Sequence, residues 1–472
     1  MKLSQILKSG NFEDREIQGI TCDSREVKEG FAFICINGSK SDGHDYAQKA
    51  LEQGAAAVIT ERKLDLPNEI TVDDTHAAYS DMCAEWFCRP ADSLKLIGVT
   101  GTNGKTSVTY MMKKILEAKG EKVGLIGTIQ NMIGDRVLPA KNTTPGAYEL
   151  NSLFAEMKES GCTYAVMEVS SHALEQYRVH KLDFEAAVFT NLTQDHLDYH
   201  GTMENYLYAK KRLFKMCKIA VINSDDEYAQ RIIEGLDCKV VTYSTGDDST
   251  YSAKAIKYRP ASVDYEFVGD NLIKHIKVST GGKFTVYNSL AAIATVCELG
   301  MDVGDAAAAL ATLDGVKGRA EVVPCDKDFT IIIDYAHTPD GLKNILSTFR
   351  ECEKNRLTVL FGCGGDRDKT KRPIMGSFAA RYADFVIITS DNPRSEEPSA
   401  IIEDILCGLD GMTTPYKVIE NRVEAIKYAV ETAQKGDIIV LAGKGHETYQ
   451  ILKDKTIHLD EREVVAEALS QI

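Results

Sequence analysis

Residues 98–107 read GVTGTNGKTS, a spacing of glycines, lysine and hydroxyls suited to holding phosphate. The run follows the apolar segment Leu94-Lys95-Leu96-Ile97 and leads into 106–116, where apolar residues recur at helical spacing. Strand, glycine-rich turn and helix start together make an anion cradle: backbone N–H groups and the positive helix end face the oxygens. Lys105 would reach the β and γ phosphates, and the Thr106 hydroxyl would face Mg²⁺. The usual loop has a glycine, four residues, then Gly-Lys. That pattern puts its first glycine where Val99 stands; the glycines here are at 98, 101 and 104. The strand before and the helix after still point to nucleotide binding.

Other reactive residues stand just beyond apolar runs. Glu168 ends TYAVMEVS (163–170), where a carboxylate holds Mg²⁺ or simply meets solvent. His196 and His200 stand four apart, and on a helix would share a face. That spacing suits zinc, but the glutamate of His-Glu-x-x-His is missing and no third ligand is evident. His196 alone beside a hard cation is the simpler reading. Lys210, in YLYAKKRLF, reads by itself as a solvated helix residue. A lysine of depressed pKa can instead take up carbon dioxide as a carbamate, whose charge helps hold Mg²⁺.

Arg319, in Gly-Arg-Ala-Glu, could place a guanidinium over a phosphoryl group in flight, and Asp334 could hold a ribose. Further on, GCGGDRD carries Arg367, SDNPRSEEP carries Asp391, Asn392 and Arg394, and AGKGHE carries Lys444, His446 and Glu447. Arginines on such loops suit bidentate carboxylate capture, and Glu447 could bind an ammonium. Together they would receive an amino-acid-like ligand. Pairing among these charges themselves is the competing reading.

The elements that must position these residues follow an α/β pattern. At about 150 residues per domain, 472 residues suggest three domains. FAFICI (31–36) and AAAVIT (55–60) read as strands, and DYAQKALEQG as a helix stopped by Gly54. Arg89-Pro90 then breaks the pattern, which places the first boundary at 90. Strands at 163–170, 185–192 and 218–224 alternate with helices such as 204–216, which predicts a mostly parallel, doubly wound sheet. Residues 251–287 alternate polar and apolar without a helix, as an antiparallel excursion would, and NSLAAIATVCELG (288–300) is a helix ending at Gly300. A third series has strands at 330–337, 357–365, 384–391 and 437–445. The expected domains are therefore 1–90, 91–322 and 323–472. In open α/β sheets the ligand crevice lies beyond the carboxyl ends of the strands, where these reactive residues fall.

The formal charge of −15 disfavours nucleic acid, since phosphate repels such a chain. No apolar run approaches the roughly 18–20 residues of a membrane span. The first 20 residues carry acids and no apolar core, so no signal peptide is expected. The twelve cysteines are scattered, without Cys-x-x-Cys, and read as reduced core thiols of a cytoplasmic protein.

GVTGTNGKTS, NTTP (142–145), MEVSSHAL (167–174), NLTQDHLDYHGTMENYLYAK (191–210), YNSLAA (287–292), GRAEVV (318–323), DYAHTPD (334–340), GCGGDRDKTKRP (362–373), DNPR (391–394) and GKGHE (443–447) resemble the Mur ligase family, in its order and over nearly the whole chain. The family's glycine loop shares the departure at Val99. The resemblance implies a three-domain α/β architecture, with a central P-loop ATPase-like parallel sheet and a C-terminal Rossmann-like domain. It implies ATP-dependent amide synthesis in peptidoglycan biosynthesis by a cytoplasmic monomer, with Mg²⁺ as cofactor. By motif position it implies ATP binding by Gly101, Thr102, Asn103, Gly104, Lys105, Thr106 and Ser107, completed by Asn288, Arg319 and Asp334. Magnesium would meet Thr106, Glu168, His196 and a carbamylated Lys210. Lys105, Lys210, His196 and Arg319 would serve catalysis. UDP-N-acetylmuramoyl-L-alanyl-D-glutamate would meet Cys22, Ser24, Ser39, Lys40, Ser41, Asn142, Thr143, Thr144, Ser170, Gln176 and Arg178. The incoming amino acid would meet Arg367, Asp391, Asn392, Pro393, Arg394, Gly443 and Glu447. The DNPR run resembles the version accepting meso-2,6-diaminopimelate, since Arg394 would answer a second carboxylate that lysine lacks. A lysine-adding or folylpolyglutamate-type sibling, and a nucleotide switch that makes no bond, are the rival readings.

Overall fold

The computed structural model describes residues 1–472 apart from 9–11, 39–40, 247, 270–271 and 353–354. Three large sheets follow one another along the chain, and a two-stranded antiparallel ribbon, Tyr449–Ile451 with Thr456–His458, comes after them. The first has four parallel strands in chain order, Gly19–Thr21, Phe31–Ile34, Ala57–Thr60 and Glu69–Thr71. Its two faces bury Ala32 and Ile34 on one side and Phe33 and Val58 on the other.

The second sheet has eleven strands. At its centre Lys95–Thr100 lies between Tyr164–Glu168 and Phe184–Phe189, parallel to both. Its alternating residues serve opposite faces: Ile97 and Val99 enter one core, Leu96 the other. Strands buried on both faces read as continuous apolar runs, which is why they were legible. The topology brings the loops after these three strands side by side. They carry Gly101–Gly104, Ser170 and Thr190–His196.

The antiparallel excursion is present as Tyr251–Arg259, Ser262–Gly269 and Leu272–Val278. It ends earlier than expected. The helix begins at Lys283 rather than 288 and runs to Glu298. Gly282, at φ 106, turns the chain into it, and Thr285 Oγ1 donates to the Gly281 carbonyl 2.8 Å away.

The third sheet orders its strands as Glu321–Val323, Thr330–Asp334, Ile438–Ala442, Leu357–Phe361, Phe385–Ile388 and Tyr416–Val418, all parallel except the first. The strand Glu321–Val323 thus straddles position 322 and belongs to this sheet. The Ile438–Ala442 strand sits between Thr330–Asp334 and Leu357–Phe361, so loops distant in sequence meet at one edge. All twelve cysteines are free thiols, but Cys22, Cys88 and Cys407 are exposed, which corrects their reading as core residues. Among the described residues no helix is long and apolar enough to cross a membrane.

Candidate active site

The Lys95–Thr100 strand passes through Gly101–Gly104 directly into the helix Lys105–Ala118. Gly101 and Gly104 have φ of 149° and 88°. A Cβ on Gly101 would lie 1.9 Å from Thr190 Oγ1, and one on Gly104 would lie 2.5 Å from Asn288 Oδ1. Backbone conformation and close approach both require glycine there. Lys105 folds over this turn, its Nζ donating to the carbonyls of Gly101 at 2.9 Å and Thr102 at 2.8 Å. Burial lowers its pKa, while Glu168 and Asp195 act against that. Ser107 follows in the first helical turn.

Thr190 and Asn191 brace the loop from the neighbouring strand. Thr190 Oγ1 donates to the Asn103 carbonyl at 2.6 Å, and the Asn103 N–H donates to Asn191 Oδ1 at 2.9 Å. The sequence reading gave neither residue a role in the site, although both fall in the 185–192 strand and Asn191 opens the 191–210 motif.

Glu168 is buried, and its two oxygens accept from the Thr128 N–H and hydroxyl, each at 2.9 Å. Lys210 overturns its reading as a solvated residue when taken alone. It is buried because the helix Met203–Lys211 turns it inward with Tyr206 and Leu207. Its Nζ donates to the Gly101 carbonyl at 2.8 Å and lies 4.5 Å from the Tyr206 ring centroid. Burial, then the nearby Lys105 charge, push its pKa well below the ordinary lysine value. That shift favours the neutral amine, the form that can take up carbon dioxide.

His196 and His200 do not form the face that zinc spacing suggested. The helix Leu197–His200 is one turn, preceded by His196 in the left-handed region at φ 52°. His196 is exposed, its Nε2 3.5 Å from Asp195, whereas His200 is buried with its ring nitrogen 2.9 Å from Ser171 Oγ. His172 lies between them, with ring centroids 4.9 and 5.5 Å away, and burial pushes its pKa down to about 4. Among the described residues no cluster of three or more His, Cys, Asp or Glu is placed to hold a metal.

Arg319 crosses from the third sheet's side to the phosphate loop. Its Nη2 donates to Thr106 Oγ1 at 3.3 Å, and its guanidinium lies 4.8 Å from the Tyr335 ring. Its buried Nε has no hydrogen-bond partner among the described residues. Asp334 braces this turn, accepting from the Ala320 N–H at 2.7 Å and the Ala336 N–H at 2.8 Å. Both its oxygens therefore have backbone partners already.

Of the eleven residues expected to meet the UDP substrate, Thr143, Thr144, Ser170, Gln176 and Arg178 lie in one hydrogen-bonded neighbourhood. Arg178 donates to the Thr144 carbonyl at 2.7 Å and to Gln176 Oε1 at 2.6 Å. Thr144 Oγ1 accepts from the Ser170 N–H at 3.0 Å, and Thr143 Oγ1 lies 3.0 Å from the Thr128 hydroxyl. Asn142 is exposed next to them. Cys22, Ser24 and Ser41 lie on loops of the first sheet; Ser39 and Lys40 lie outside the described residues.

A cleft of 1510 Å³ separates the second sheet's loops from the third's. One wall carries His172 and residues 193–198. The other carries Arg367, Asp391, Asn392, Arg394, Gly443 and Glu447. Pro393 is buried beside them, its carbonyl against Gly365. Arg367 is exposed, donating to the Asp366 carbonyl at 3.1 Å. Arg394, in left-handed backbone at φ 53°, donates to the Gly365 carbonyl at 2.8 Å. A Cβ on Gly443 would lie 2.9 Å from Asp391 Oδ2. Glu447 already has an ammonium partner: its Oε2 accepts from Lys444 Nζ at 3.0 Å and from Asn392 Nδ2 at 2.9 Å. Lys444 itself is fully buried.

Fold and site define a three-domain α/β protein in which a glycine-rich loop feeds a helix of the central sheet and a cleft lined by charged loops separates that sheet from the third. The chain belongs to the Mur ligase family. Its residues 16–84 match the Mur ligase family catalytic domain, 99–296 the Mur ligase middle domain, and 318–445 the Mur ligase glutamate ligase domain. The UDP-N-acetylmuramoyl-L-alanyl-D-glutamate--2,6-diaminopimelate ligase of Caldanaerobacter subterraneus subsp. tengcongensis is 49% identical over 100% of this chain and 99% of its own. A solved structure of a ligase of that name superposes with a TM-score of 0.72 at 36% identity, covering 96% of this chain and 95% of its own. The MurF ligase of Thermotoga maritima in complex with ADP shares the fold, with a TM-score of 0.64 at 21% identity over 96% and 97% of the two chains.

Proposed function

We propose that this chain is an ATP-dependent ligase. It joins meso-2,6-diaminopimelate to the D-glutamyl γ-carboxylate of UDP-N-acetylmuramoyl-L-alanyl-D-glutamate in peptidoglycan biosynthesis, working as a cytoplasmic monomer with domains at 1–90, 91–322 and 323–472. The observation that carries this reading is the opposition, across one cleft, of the phosphate loop's neighbours and the Arg394–Asp391–Glu447 receptor. The full-length similarity to relatives bearing that ligase name supports the choice of substrates.

In this reading Gly101 to Ser107 hold the triphosphate, with Asn288, Arg319 and Asp334 completing the nucleotide site. The γ-phosphoryl group passes to the γ-carboxylate, giving an acyl phosphate and ADP. The neutral amine of diaminopimelate then attacks that carbonyl, the tetrahedral adduct collapses, and phosphate leaves. Activation is required because an unmodified carboxylate oxygen is a poor leaving group. Lys105 and Arg319 oppose the charge carried by the phosphoryl oxygens, and the two walls hold the reactants in line.

The residues expected around Mg²⁺ fit a hard cation, since the Thr106 hydroxyl and the buried Glu168 carboxylate are oxygen donors. His196 and Lys210, once carbamylated, would complete the set. A bound Mg²⁺ would neutralise phosphate charge. Lys210 contributes by exchanging a neutral amine for an anion: carbon dioxide adds to Nζ and a proton leaves.

The UDP-muramoyl dipeptide is held by Cys22, Ser24, Ser39, Lys40, Ser41 and the Asn142–Arg178 group. The test is phosphate release from ATP in the presence of the UDP-muramoyl dipeptide and each of several diamino acids. Diaminopimelate-dependent release together with a lengthened muramoyl peptide is expected. Release that ignores both the dipeptide and the amine would overturn the proposal.

A further inference from the structure

Behind the amino-acid wall lies a buried ion that the proposed reaction does not use. Lys444 is 0% exposed, yet its ammonium stands between two carboxylates, 3.0 Å from Glu447 Oε2 and 3.7 Å from Asp391 Oδ1. Its third polar neighbour is Asn392 Oδ1 at 3.3 Å. Asn392 ties the group together: its Nδ2 donates to the same Glu447 oxygen, and its Oδ1 accepts from the Ile451 N–H at 2.9 Å. Both donors to Glu447 thus reach Oε2. Oε1 accepts no hydrogen bond from any described residue, and Glu447 lines the cleft.

A long acidic side chain on a loop has several rotamers, and ordering it when the ligand arrives would subtract from binding. Here that order is built in. The charge count adds a second effect. Within this triad one ammonium faces two carboxylates, so a ligand ammonium at Glu447 would meet carboxylate charge that Lys444 alone does not balance. Arg367 and Arg394 on the same wall remain for the ligand's carboxylates.

We infer that Lys444 is the positioning residue of the amine receptor: it pins Glu447 by Oε2, so that Oε1 faces the cleft ready for the substrate ammonium. This inference rests on the amino-acid reading of the cleft given above. Lys444 does not touch the substrate. It acts through Glu447, and this separates it from a residue that merely fills the core.

The test is steady-state kinetics with ATP, the UDP-muramoyl dipeptide and diaminopimelate on the full chain. Lys444→Met is expected to raise the KM for diaminopimelate about tenfold or more, with KM for ATP and for the dipeptide unchanged. Lys444→Arg, which keeps the cation, is expected to restore most of the loss. Glu447→Gln raises the same KM, and in the Lys444→Met/Glu447→Gln pair the second change adds nothing, because residues acting as a unit are not additive. Where Lys444→Met folds poorly, the double variant, which removes one charge of each sign, is compared with Glu447→Gln alone: an equal diaminopimelate KM is expected, and a further rise would overturn the inference. Additive effects in the double variant, or an unchanged diaminopimelate KM in Lys444→Met, would overturn the inference. Wild-type protein showing no diaminopimelate dependence would instead overturn the functional proposal on which it rests.

Discussion

The phosphate loop occupies one run of chain between a strand and the helix it feeds, whereas the facing receptor is gathered from loops after three strands, Leu357–Phe361, Phe385–Ile388 and Ile438–Ala442. The loop's shape is local: glycines at 101 and 104 set the backbone, and Lys105 bonds carbonyls three and four residues back. The receptor's shape depends on charges that meet only after folding, such as Lys444 with Asp391 and Glu447. Left-handed backbone at Asp366 and Arg394 adds strain on that side. The difference shows where each region is vulnerable. In the loop, a change of side chain at Lys105 is expected to act locally, whereas a side chain at Gly101 or Gly104 would clash with Thr190 or Asn288. A single substitution behind the receptor disturbs several loops at once.

The sharpest test of that contrast is Lys105→Met. Phosphate release is expected to fall on the order of 1,000-fold with the fold retained, the melting temperature dropping only by what the two hydrogen bonds to the Gly101 and Thr102 carbonyls contribute. A collapse of the fold would erase the distinction. Next, Lys210→Arg should lower kcat about 100-fold, since a guanidinium forms no stable carbamate. Native mass measured with bicarbonate should show one added carbon dioxide in the wild type and none in the variant.

Arg394→Ala should reduce kcat/KM for diaminopimelate about 10- to 100-fold while leaving that for lysine unchanged, because the lost partner is the second carboxylate. Equal losses for both amino acids would assign Arg394 to the shared carboxylate instead.

The smallest activity effect is expected behind the loops, at Arg372. This fully buried arginine pairs with Glu396 and Asp404, and Glu396 in turn accepts from the Asp366 N–H. The Arg372 hydrogen bonds hold the Glu396 pKa at about 2, against an ordinary value of 4.5. Its contribution to stability is therefore complete above about pH 4.5 and is lost as pH falls toward 2. Arg372→Met should lower the melting temperature at pH 7, and the gap from wild type should narrow across that acid window. A gap independent of pH would remove Glu396 from the account.

Much of the nucleotide side was legible beforehand. The strand at Tyr164–Glu168, the loop and the helix from Lys105 follow from apolar period and glycine spacing within a few residues. The antiparallel excursion was legible from its alternation, although the helix start at Lys283 was not, because Lys283–Tyr287 carry mixed polarity. Lys210 was misjudged on local grounds. A lysine among helix-forming residues carries no sign of what packs over it, and family resemblance rather than spacing singled it out. The His196–His200 pair failed for a related reason: spacing of four implies a shared face only if a helix already contains both.

Sequence alone determined the order of strands and helices, the phosphate-holding turn and the set of charged loops, since each is encoded by neighbours a few residues apart. Tertiary structure decided which of those charges are free. It buried Lys210 against Gly101, paired Lys444 with Glu447, and brought Arg319 to Thr106 across 213 residues. The physical reason is that burial and ion pairing depend on what distant chain segments place alongside a side chain, and no local period carries that information.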